Sequence, residues 1–183
     1  MLMSLLAYTD SKITYNIYFF LAPDCTQERI TKSQKSLGPY IKDNINLKYC
    51  DIPNGLRPDL PVKKQYLKEG IYDKLIIFTQ LPKEVEKVVY LDSDIIMLTD
   101  IAILYKKDLE GNILAAVEDY YRKFSEKFKM IMNLPSDSDY FNSGVMLIDL
   151  KKWLNQEISR KAIDFVIKNH EVRKCHDQDG FNY

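Results

Sequence analysis

Three short clusters in this sequence bring together side chains able to do chemistry. The first is Asp92-Ser93-Asp94, which closes the apolar run KVVYL at residues 87–91. If the extended backbone of that run persists, residues i and i+2 face the same side and two carboxylates converge. Like charges so close are relieved by a cation or a shared proton, and carboxylate oxygens are the ligands that Mg²⁺ and Mn²⁺ prefer. A divalent ion held there could clamp a diphosphate and neutralise its charge as it departs. A buried strand that simply runs out into solvated acids leaves the same letters. With Asp100 the acids approach a calcium-loop pattern, but that loop needs an oxygen-bearing residue fifth and glycine sixth, where Ile96 and Met97 stand. A phosphohydrolase using the first aspartate of such a pair as nucleophile stays open. Against it, its pair would lie near the N-terminus, and Thr or Val would replace Ile96.

The second cluster, Tyr140-Phe141-Asn142-Ser143-Gly144, leads into the apolar run VMLIDL. Gly144 lets backbone approach a ligand closely, and Asn142 offers both a donor and an acceptor suited to a sugar hydroxyl. An ordinary Asx turn before a strand is the plainer account. The third cluster is Asp177-Gln178-Asp179, followed by Gly180-Phe181-Asn182. Acids there suit the first turn of a helix. The neighbouring His176 reads more simply as a solvated loop residue than as a ligand or base.

The elements that must position these clusters alternate. Residues 14–21 (TYNIYFFL) predict a strand, 26–37 a helix ending at Gly38-Pro39, and 46–52 a second strand. Apolar residues at helical spacing over 62–81 predict a helix stopped by Pro82, and 87–91 predicts a central strand. Residues 112–117 (NILAAV) predict a strand ending at Glu118 and Asp119; 120–134 reads as helix, 144–150 as strand and 153–169 as an amphipathic helix. This alternation predicts an α/β domain with a mainly parallel sheet and ligands at the carboxyl ends of its strands.

Composition narrows the function classes. With 46% hydrophobic residues in 183, the chain can bury a core as a single domain spanning residues 1–183. Lysine plus arginine equal aspartate plus glutamate at 26 each, so the overall charge gives no reason to expect nucleic acid as a partner. Residues 1–8 are apolar but too few to span a bilayer, and they read as one or two buried helical turns. Cys25, Cys50 and Cys175 show no C-x-x-C spacing, which argues against a structural zinc site and for a cytoplasmic protein.

In order and separation, YLDSDIIMLTDI, AAVED, YFNSGVMLIDLKKW and DQDGFN resemble glycosyltransferase family 8, which includes bacterial lipopolysaccharide galactosyl- and glucosyltransferases. The resemblance implies a GT-A fold, a UDP-sugar donor such as UDP-glucose or UDP-galactose, a Mn²⁺ or Mg²⁺ cofactor, and hexose transfer with retention to a glycan or lipid-linked saccharide acceptor. It also implies a cytoplasmic location, peripheral at the inner face of the membrane in one variant. By the same resemblance Asp92 and Asp94 hold the metal, and Asp92 and Ser93 lie near the nucleotide. Asp119, Asn142, Ser143, Gly144 and Asp177 line the donor sugar, and Gln178 lies by the anomeric carbon opposite the leaving group. Asp177 and Gln178 are thus the catalytic candidates. Lys74 stands where the family usually carries arginine, keeping the charge without the planar fork. Glutamine is a poor nucleophile, which favours front-face attack assisted by the departing phosphate.

Against the family pattern the fold is expected to be incomplete at both ends. The first strand with its uridine-gripping turn, a metal-binding histidine and a lysine-bearing loop have no counterpart here. An unpaired strand edge would favour homo-oligomers. A sugar-nucleotide-binding remnant without catalysis is the alternative from a different class.

Overall fold

Strands β1 (Tyr15–Phe20) and β2 (Ile45–Cys50) pair in parallel, in register from Tyr15 opposite Ile45 to Phe20 opposite Cys50. The chain between them forms helix α2 (Gln27–Leu37), preceded by helix α1 (Leu2–Ala7) at the N-terminus. Thr26 caps α2 by accepting the Arg29 N–H, satisfying one orphan donor of the first turn. These elements belong to a computed structural model describing residues 1–22, 24–53, 72–120, 130, 139–169 and 177–183. Residues 62–71 of the helix expected over 62–81, most of the one at 120–134, and the loop with Cys175 and His176 lie outside the described residues.

The chain divides into two compact units, Met1–Pro53 with Asp92–Lys107, and Asn54–Leu91 with Asp108–Tyr183. In the first, the returning segment carries the short helix α4 (Ala102–Tyr105) and is tied down by one carboxylate. Asp100 accepts from the Tyr15 hydroxyl at 2.7 and 2.9 Å, from the Ala102 N–H at 2.8 Å and from the Asp10 N–H at 3.3 Å. The Met97 N–H adds a bond to Ser4 Oγ at 2.9 Å. Burial raises the Tyr15 phenol above its ordinary pKa, and its hydrogen bond to Asp100 raises it further.

The second unit holds β3 (Lys87–Leu91), β4 (Leu114–Glu118) and β5 (Phe141–Asp149) in the order β3-β5-β4. Both pairings are antiparallel. The expectation of a mainly parallel sheet therefore holds for β1 and β2 and is corrected for these three. A continuous apolar run records burial, not direction: antiparallel β5 buries Met146, Leu147 and Ile148 in succession and so is covered on both faces, whereas β3, expected to be central, stands at the end of this three-strand order and is half-buried throughout.

Helix α3 (Asp73–Ile76) leads into a 3₁₀ turn at Ile77–Gln80, so the described end of the helix expected over 62–81 is tighter than α-helical. The single helix expected at 153–169 is two, α5 (Leu150–Asn155) and α6 (Ile158–Lys168). The first starts early because Asp149 caps it through the Lys152 N–H, and the break falls at Glu157, whose φ of 54° is left-handed. Helix α7 (Asp177–Asn182) closes the described chain. The core beneath it is aromatic. Phe78 and Trp153 meet edge to face with centroids 5.0 Å apart, and Phe181 of α7 reaches Trp153 at 5.2 Å. The Trp153 indole N–H is satisfied by Ser159 Oγ at 3.0 Å.

Candidate active site

The acidic pair lies in the first unit. Strand β3 ends at Leu91, and Asp92 to Ile95 form a turn closed by the Ile95 N–H on the Asp92 carbonyl at 3.2 Å. Strand alternation does not extend to Asp92 and Asp94, which corrects that part of the sequence reading; the turn leaves Asp92 half-buried and Ser93 and Asp94 exposed. Asp100, the third acid, is committed to its four hydrogen bonds. Among the described residues no group of three or more His, Cys, Asp or Glu side chains converges as a metal cage. A two-carboxylate donor set instead fits the way Mg²⁺-like ions bind, through one or two carboxylates plus substrate phosphates and water.

The second unit gathers the remaining candidates. Opposite β5, β4 pairs Ala116 with Met146 but Val117 with Asn142, and β3 ends opposite Val145. Ser143 and Gly144 are thus left out of both ladders, and their backbone groups must find other partners. The Gly144 N–H goes to Asn142 Oδ1 at 2.9 Å, and the Ser143 N–H goes to Gln178 Oε1 at 3.1 Å. Lys74 Nζ lies 3.4 Å from the Ser143 carbonyl and 3.3 Å from its Oγ. The Asx contact is therefore present, but inside a strand rather than in a turn before one.

Three contacts complete this cluster. Lys74 Nζ pairs with Asp177 Oδ2 at 3.0 Å, each side chain 11% exposed, and sits 5.0 Å from the centre of the Tyr90 ring. Gln178 Nε2 donates to Asp119 Oδ2 at 2.9 Å. The orientation of the Gln178 carboxamide follows, because a backbone N–H can only donate and a carboxylate only accepts. Lys74, Asp119, Ser143, Asp177 and Gln178 therefore form one connected polar network. Asn142 joins it through the Gly144 backbone.

Sequence reasoning missed what holds α7 against β5. The Tyr140 hydroxyl donates to Asp179 Oδ1 at 2.7 Å, a carboxylate with no exposed surface. Asn182 accepts the Phe141 N–H at 2.8 Å, and donates to the Phe141 carbonyl and to the Gln178 carbonyl, each at 2.9 Å. Gly180 is where α7 meets α6: a Cβ there would lie 3.0 Å from the Ala162 carbonyl oxygen and from Val166 Cγ2. The glycine was legible as a letter, but its reason was not.

Comparison with known proteins gives the site its context. The family profile for Glycosyl transferase family 8 matches residues 1–183. General stress protein A of Bacillus subtilis (strain 168) is 27% identical over 188 residues, covering 100% of this chain and 62% of that protein. The lipopolysaccharide 1,2-glucosyltransferase of Escherichia coli (strain K12) is 30% identical over 118 residues, covering 64% of this chain and 35% of that protein. The chain thus spans less than two thirds of the length of these relatives. Among solved structures, galactosyltransferase LgtC in complex with donor and acceptor sugar analogs superposes with a TM-score of 0.81 at 23% identity, over 99% of this chain and 63% of its own. The bifunctional glycosyltransferase WbbM gives 0.78 at 21% identity, over 100% and 34%. Both are GT-A proteins, and at these identities the likeness establishes the fold.

Proposed function

The chain belongs to glycosyltransferase family 8, and from that premise we propose that it transfers a hexose, glucose or galactose, from a UDP-sugar to a glycan or lipid-linked saccharide acceptor with retention of configuration. The carrying observation is the buried polar network in which Gln178 is held by Ser143 and Asp119 beside the Lys74–Asp177 pair. Support for the substrate class comes from the Escherichia coli relative, named for transfer of glucose to lipopolysaccharide, and from LgtC, solved with donor and acceptor sugar analogs. The family match also replaces the phosphohydrolase reading.

In this proposal Asp92 and Asp94 hold Mn²⁺ or Mg²⁺, with Asp92 and Ser93 beside the nucleotide. When bound, the ion supplies neutralisation of the diphosphate's charge as it leaves, so no side chain need protonate the leaving group, unlike the general acid of a glycosidase. Asp119, Asn142, Ser143, Gly144 and Asp177 line the donor sugar. Lys74 neutralises Asp177, a carboxylate of the kind that accepts from sugar hydroxyls. Gln178 Oε1, having accepted one N–H from Ser143, keeps a second lone pair with which to stabilise positive charge developing at the anomeric carbon. An amide is too poor a nucleophile for a stable covalent adduct, which favours front-face attack by the acceptor. A cytoplasmic location is part of this proposal. Among the described residues no helix is long and apolar enough to cross a membrane.

The test is UDP release by the full-length protein from UDP-glucose and UDP-galactose, with and without Mn²⁺. Metal-dependent release that falls in Gln178→Ala and Asp94→Asn supports the reading. No release from either donor, with or without saccharide acceptors, refutes it.

A further inference from the structure

The groups that hold Gln178 have a support of their own. Near Phe141, β5 pairs with β4 through Val117 and Glu118 on one edge, whereas on the other β3 has already ended opposite Val145. Both backbone groups of Phe141 nevertheless find partners in one side chain. Asn182 takes the Phe141 N–H at 2.8 Å and gives an N–H to the Phe141 carbonyl at 2.9 Å, the two-bond exchange that a neighbouring strand would make. Its second amide hydrogen reaches the Gln178 carbonyl at 2.9 Å, one helical turn back. One carboxamide thus uses an acceptor and both donors to join the Gln178 backbone to the β5 backbone two residues from Ser143.

We propose that Asn182 is a positioning residue for the Gln178 amide. It stands where a continuation of β3 would pair with Phe141, and so fixes the distance between the main chain carrying Gln178 and the Ser143 N–H that receives its side chain. The Tyr140–Asp179 bond pins the same helix one residue away, and Phe181 anchors its opposite side in the aromatic core. Without Asn182 the helix keeps those two anchors and stays folded. What is lost is the register between Gln178 and β5, and displacement of a reacting group by about 1 Å costs on the order of a hundredfold in rate.

This inference rests on the proposed transfer only through its activity measurements. In the full-length protein, Asn182→Ala should lower kcat for UDP-sugar turnover by about a hundredfold, with the KM for the donor and the affinity for UDP alone nearly unchanged and a cooperative thermal transition. Asn182→Asp keeps the acceptor for the Phe141 N–H but faces two carbonyls without a donor. Its kcat should be as poor at neutral pH and recover in part relative to wild type as acid protonates the carboxylate and restores one donor. By NMR hydrogen exchange, the Phe141 amide and the Gln178 side-chain amide should lose protection in Asn182→Ala. Turnover by Asn182→Ala within about twofold of wild type overturns the proposal. So does a kcat loss matched by lost UDP affinity and a broadened transition, the mark of a merely structural role. If wild type releases no UDP from any UDP-sugar, the transfer reading falls and the exchange measurement decides the positioning role: lost protection sustains it, and unchanged protection at both amides overturns it.

Discussion

Replacing Lys74 by methionine removes a buried positive charge while keeping most of the stem, and its cost can be worked from the site. Lys74 Nζ and Asp177 Oδ2 are 3.0 Å apart with only 11% of each side chain exposed, so water screens the pair poorly. At an effective dielectric of about 20 the attraction is about 5.5 kcal/mol, offset in the intact protein by the cost of desolvating both ions. In Lys74→Met the aspartate's share of that cost remains while its attraction to this cation is gone, so the expected loss is about 3–5 kcal/mol. The lost contact with the Tyr90 face, at 5.0 Å, falls within that range. Against a total stability of about 5–15 kcal/mol this is large. Urea unfolding of wild type, Lys74→Met, Asp177→Asn and the double variant measures it, and the double variant should recover part of the loss as a coupling of about 1–3 kcal/mol. A cost below about 1 kcal/mol for Lys74→Met would refute the reasoning, because the pair would then behave as an exposed one.

Three further perturbations test other parts of the molecule. Because the Tyr15 phenol is raised in the fold, the neutral form contributes stability that is fully present below the unfolded value near 10.0 and is lost as pH rises through the folded value. Urea unfolding of wild type above pH 10 should therefore show a loss of stability that Tyr15→Phe lacks. Mn²⁺ binding with a nucleoside diphosphate should weaken in both Asp92→Ala and Asp94→Ala by calorimetry; unchanged affinity in both would remove the ion from this turn. Gly180→Ala should cost about 1–3 kcal/mol in urea, because its Cβ meets the Ala162 carbonyl oxygen and Val166 at 3.0 Å and backbone cannot yield as a side chain can.

Much of this architecture could be read from the letters. Strand β3 falls where the run KVVYL places it, because charged residues bound it on both sides, and β1 and β2 lie within a residue or two of their apolar runs. Strand direction was not legible, since burial on both faces looks the same in either orientation. Nor was the break at Glu157, where no glycine or proline marks the left-handed residue and the apolar spacing runs through. For the candidate site, the family resemblance pointed to Lys74, Asp119, Asn142, Asp177 and Gln178, but the contacts of Asp179 and Asn182 join residues about 40 positions apart. No local spacing carries such pairs. The turn at Asp92 shows the converse: the letters Asp92-Ser93-Asp94 stand plainly in the sequence, while the strand geometry assumed for them does not persist.

The gap in the β4–β5 ladder also bears on which positions tolerate sequence drift. At Ser143 the group that receives Gln178 is a main-chain N–H, which nineteen of the twenty amino acids supply equally. A saturation library at this position should therefore leave the hold on Gln178 largely intact, with losses confined to the Oγ contact with Lys74 and to side chains too large for a buried site. Proline alone deletes the donor. A ranking by substitution tolerance would read Ser143 as a position limited only by side-chain size and overlook the atom that matters, because a backbone atom leaves little trace in a side-chain scan.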